Sequence, residues 1–181
     1  MKKILFSVLA IMLITACGDK TEDLKEQVNS LTTEWQTANA DARGIAQATG
    51  NTLNVLQTAS FRLDSLAGAQ TGPLSDEMQT KITDLRTRME AANNNVIVVM
   101  QGVGDAARPL ANLEAQMAAL EKAAELGEGF PENAELQIEN IGKAINNAKS
   151  KYDGLTQKLE AVRTEVEAIN AEVNAMAKVQ G

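Results

Sequence analysis

The residue with the clearest chemical signal in this chain of 181 residues is Cys17, the only cysteine. A lone cysteine has no intramolecular disulfide partner, so its thiol is available for another purpose. Histidine is absent altogether, which removes His-based metal sites, His-assisted triads and imidazole pH switches. Carboxylates are plentiful, as at Glu160, Glu165, Glu167 and Glu172. They fall outside the apolar positions of their segment and read as solvated surface rather than as an acid/base pair. No Gly-rich phosphate loop, metal-ligand spacing or nucleophile–base pair is present. Neither a catalytic residue nor a cofactor is expected, and the chain reads as a non-enzyme.

Composition narrows the possibilities further. Hydrophobic residues make up 44% of the chain but aromatics only 3%. The apolar content is therefore mostly Ala, Leu, Val, Ile and Met, which suits close helix packing. The formal charge is -7. Such an acidic surface argues against nucleic acid and against electrostatic binding to anionic lipid.

The elements around Cys17 have a definite order. Lys2 and Lys3 form a basic start, and Ile4 to Ile14 form an apolar run too short to span a bilayer stably as a helix. Leu13-Ile14-Thr15-Ala16 then leads into Cys17 with small residues just before it. Residues 1–16 are read as a secretory signal and set aside from the fold. The junction resembles the lipobox of bacterial lipoproteins, in which an aliphatic residue and two small ones precede an invariant cysteine. The resemblance covers about the first 18 residues. It implies cleavage after Ala16, diacylglycerol on the Cys17 sulfur and acylation of the new amino group. Two or three acyl chains anchor stably where one is marginal. Gly18, rather than aspartate, follows the cysteine, so the resemblance implies the outer membrane over the inner.

Residues 17–23 read as a short acidic linker, and 24–181 as one helical domain with helices at about 20–68, 74–126 and 132–179. From Leu24 the apolar or small positions step by four and three, through Val28, Leu31 and Trp35 to Leu66. A second run extends from Met78 to Ala124 and a third from Ile138 to Met176. A sustained 3.5-residue repeat is the mark of coiled-coil packing. Gly and Pro clusters at 68–73 and 127–131 separate the runs, with Pro73 expected in the first turn of the second helix. Similar lengths and short connections predict an all-α fold, an elongated antiparallel up-down-up three-helix bundle or coiled coil. The apolar run Val96-Ile97-Val98-Val99-Met100 is read as part of the buried stripe.

One region departs from regularity. Gly102, Gly104 and Pro109 fall inside the second run, and a proline in a helix interior predicts a kink or short break. The repeat keeps its phase from Val103 to Leu110, so one kinked helix is expected rather than two. Folding the chain about its two loops places Trp35, Ala106 and Tyr152 in one layer. Gly102, Gly104, Pro109, Trp35 and Tyr152 are thus a candidate joint.

These readings predict a lipid-anchored structural or interaction protein of the cell envelope. It would bind the membrane through Cys17 and a partner protein through its rod. The alternative is a periplasmic or surface carrier or chaperone whose helices part near Gly102–Pro109 to hold an apolar ligand or client.

Overall fold

A computed structural model describes residues 20–68 and 74–179. These residues form three helices, α1 (Lys20–Gly68), α2 (Asp76–Leu126) and α3 (Ala134–Val179). Each packs on both of the others, giving an all-α three-helix bundle. At 1.5 Å per residue each helix is about 70–80 Å long.

The helix order follows from which residues meet. Asp64 near the end of α1 bridges Arg86 near the start of α2. Arg88 of α2 reaches Glu165 and Glu172 late in α3. Leu31 early in α1 lies against Gly142 early in α3, and Arg62 late in α1 reaches Asn174 late in α3. Helix α2 therefore runs antiparallel to both neighbours, while α1 and α3 run parallel.

Local signals set the helix ends. The Ser75 hydroxyl accepts a hydrogen bond from the Met78 amide at 3.3 Å and caps α2. The cap thus falls two residues beyond Pro73, which lies outside the described residues. At the other end Gly127 takes a left-handed conformation, φ 72°, and its amide bonds to the Ala123 carbonyl. A side chain at that φ is strained, which is why glycine stands there. Residues 20–23 form the first turn of α1. Glu22 and Asp23 suit that position, since a helix N-terminus favours negative charge.

The predicted stripes are the core. No stripe position from Leu24 to Leu66, Met78 to Ala124 or Ile138 to Met176 is exposed. The core nevertheless divides into two clusters. One gathers Val28–Ile45, Val99–Ala124 and Ala134–Leu159. The other gathers Leu56–Leu63, Ile82–Val96 and Val162–Met176. On α1 the gap between them holds two buried threonines, Thr49 and Thr52. Their hydroxyls donate to the carbonyls of Ile45 and Ala48 at 2.7 and 2.9 Å, which satisfies them without a partner on another helix.

The run at 96–100 departs from expectation. Val96 and Val99 are buried, but Ile97, Val98 and Met100 are 42%, 49% and 51% exposed. Five consecutive residues cover more than a full helical turn, so they cannot all face one core. No described helix is long and apolar enough to cross a membrane.

Candidate functional site

Cys17 lies outside the described residues, so its surroundings are not part of the geometry below. Of the five residues of the candidate joint, Trp35 and Tyr152 belong to one core cluster, and the other three lie along α2. Helix α2 is unbroken through Gly102, Gly104 and Pro109. Gly102 faces α3, where a Cβ added to it would come within 2.5 Å of a Leu155 methyl. Gly104 has open space at its Cβ position, and Pro109 is exposed. Two residues along a helix is a rotation of about 200°, enough to put Gly102 and Gly104 on different sides. Trp35 is half-buried and packs on the same core cluster that contains Ala106 and Tyr152.

Tyr152 is the chemically distinct member. It is 2% exposed, and its hydroxyl has no hydrogen-bond partner. Burial, together with the negative charge of Asp41 on α1, pushes the phenol above its ordinary value of about 10. The folded chain then keeps a proton that the unfolded chain releases. This contribution to stability is full below about pH 10 and is lost as pH rises through the folded value. Urea midpoints of the native chain and of Tyr152→Phe at pH 8, 10 and 11 are expected to diverge, the native chain losing more. Parallel pH profiles would show that the phenol ionises freely in the fold. At pH 8 the variant should be at least as stable, because a hydroxyl left unbonded in the core is removed.

The strongest polar constellation lies in the other half. Arg88 Nε donates to Glu165 Oε1 at 2.7 Å, and Arg88 Nη1 donates to Glu172 Oε1 at 2.8 Å. Asp84 stands 3.6 Å away on the same helix. The hydrogen bonds to Glu165 and Glu172 hold the guanidinium more firmly protonated than in water. Glu165 and Glu172 are therefore not free surface carboxylates, contrary to expectation; they tie α3 to α2. Their spacing carried the signal: seven residues apart places both on one face, beside one another's heptad neighbours. Glu160 and Glu167 are exposed and pair with Arg163 of their own helix.

Two shallow, open grooves flank this region, of about 240 and 230 Å³. The first lies between α1 and α3, beside Thr52, Val55 and Arg163. The second lies between α2 and α3, beside Arg88, Ala92 and Val162. Among the described residues there is no group of three or more His, Cys, Asp or Glu placed to hold a metal ion.

The fold class is thus a long antiparallel three-helix bundle with an ion-pair clamp between α2 and α3. No family model matches the chain, and no curated protein or solved structure matches it either.

Proposed function

We propose that the chain is a lipid-anchored rod of the bacterial cell envelope, in which Cys17 carries the anchor and the bundle presents helical faces to a partner protein. The observation that carries this reading is the sequence Leu13-Ile14-Thr15-Ala16-Cys17, followed so soon by α1 at Lys20. With residues 1–16 removed, a thioether-linked diacylglycerol and an amide-linked acyl group at Cys17 would sit two residues from a stiff helix. The bundle then stands directly on the membrane rather than at the end of a tether. Gly18 after the cysteine favours the outer membrane. The acidic surface, with Lys2 and Lys3 gone, makes lipid rather than charge the source of membrane affinity.

Mass spectrometry of the protein extracted from membranes tests the anchor. The first residue is expected to be Cys17, carrying the mass of the acyl groups, and the protein should enter the detergent phase on cloud-point partition. Cys17→Ser should lose both the modification and the partition. A chain recovered with Cys17 as a free thiol, reactive with iodoacetamide, would overturn the reading.

A further inference from the structure

We infer that the connection between α2 and α3, residues 127–133 with Leu126 and Leu136 beside them, is a second membrane contact that seats on net-neutral phospholipid once the chain is tethered at Cys17. The inference rests on the reading of Cys17 as the lipid-bearing residue and adds to it a site within the described residues.

Register places this connection at the anchored end. Leu31 lies against Gly142, and Arg62 reaches Asn174, so α1 and α3 run parallel with an offset of 111–112 residues. That offset sets Lys20, the first residue of α1, level with Pro131. Phe130 packs on the same core cluster as Leu24, which holds the connection against the first turns of α1. Gly127 and Gly129, at φ 72° and 77°, turn the chain there. Only Gly18 and Asp19 separate Cys17 from Lys20. Fully extended, that link spans about 10 Å. Acyl chains on Cys17 therefore bring the bilayer surface within about 10 Å of the start of α1, the level at which the connection lies.

The connection offers that surface apolar side chains. Leu126 is 65% exposed and Leu136 is 54% exposed. Among the described residues only Phe61 is a more open large apolar side chain, and it lies about 60 Å farther along the rod. Leu136 stands about 8 Å above the level of Pro131 along α3. A headgroup layer is about 5–8 Å deep, so a bundle standing on this end brings both leucines into it.

Charge decides the kind of lipid. Residues 20–26 and 121–139 together carry nine carboxylates against three lysines, an excess that anionic headgroups repel. Net-neutral headgroups pair each phosphate with an ammonium group and set no uncompensated negative charge against those acids. The same acids leave the contact too weak to hold a free chain. The tether makes it intramolecular, which raises the effective concentration of lipid at the loop to about millimolar. A tether alone leaves the rod free to swing; with the connection seated, the rod is held end-on.

The chain from Cys17 onward, coupled through its one thiol to a maleimide-bearing phospholipid in phosphatidylcholine vesicles, tests the contact whether or not a cell lipidates Cys17. Hydrogen exchange should slow at residues 126–136 on the vesicles relative to the uncoupled chain, with no change at 56–66. Leu126→Trp in a Trp35→Phe background should shift its emission to the blue and lose most of it when the acyl chains carry bromine. Trp35 of the unsubstituted chain, about 22 Å above Lys20, should lose none. Phosphatidylglycerol mixed into the vesicles should reduce the slowing, and salt should restore it. Leu126→Glu with Leu136→Glu should abolish the slowing while the melting temperature stays near native, since both sites are exposed. Equal exchange at 126–136 with and without vesicles overturns the proposal. So does stronger slowing on phosphatidylglycerol, or loss of Trp35 emission, which would lay the rod flat. Slowing in the uncoupled chain as its concentration rises would also overturn it, by assigning the face to a second copy. Recovery of a free Cys17 thiol from cells bears on the anchor alone; the coupled vesicles report on the contact.

Discussion

Pro109→Ala should raise the melting temperature of the bundle. Helix α2 continues without a break from Asp76 to Leu126, so Pro109 occupies a helix interior. Its nitrogen has no hydrogen to give the Asp105 carbonyl, and its ring crowds the preceding turn. Proline in a helix interior is less favourable than alanine by about 3 kcal/mol. The residue is exposed, so its removal leaves no cavity. Nearby, the Arg108–Asp105 pair at 3.1 Å is fully at the surface and offsets little. For a chain of this size 1 kcal/mol shifts the melting temperature by about 2–4 °C, so a rise of about 6–12 °C is expected. Calorimetry of the two proteins decides it. A variant no more stable than the native chain would mean that the three helices need the bend the proline imposes.

Ile169→Ala acts in the opposite sense. Ile169 is fully buried in the cluster formed by Leu56–Leu63, Ile82–Val96 and Val162–Met176. Truncating such a side chain removes its transfer free energy and leaves a void that two neighbouring helices cannot close, a cost of about 2–5 kcal/mol. Urea unfolding followed by circular dichroism should show a lower midpoint with an unchanged slope. Leu136→Ala is the control, at a site 54% exposed, and should stay within about 0.5 kcal/mol of native. A small effect at Ile169 would mean that this half of the core repacks freely around the loss.

The stripe from Leu24 to Met176 was legible because a coiled coil repeats one instruction, an inward side chain every third or fourth residue. Helix ends were legible where glycine was needed, as at Gly127. The outward-facing residues were harder to read. Ile97, Val98 and Met100 are apolar, and composition suggested a buried run where the repeat itself assigned only Val96 and Val99 inward. Arg88 escaped notice because its role depends on Glu165 and Glu172, which lie more than seventy residues away and become neighbours only through the register of α2 on α3. Gly102 and Gly104 looked like one feature in the sequence; the helix turns them apart. The chemistry at Cys17, by contrast, is a local signal in sequence and owes nothing to the bundle.

The buried threonines have a mechanical consequence. Where Thr49 and Thr52 bond back to their own helix, no large side chain from α1 crosses to lock the three helices together. Beyond that level, away from Lys20, the helices are stitched laterally by Arg62, Arg86 and Arg88. On the near side the cross-helix pair Glu34–Lys149 is looser, at 3.8 Å. Lateral coupling of α1 to its neighbours is therefore weakest at the threonine layer, and a sideways load on the rod concentrates its bending strain there.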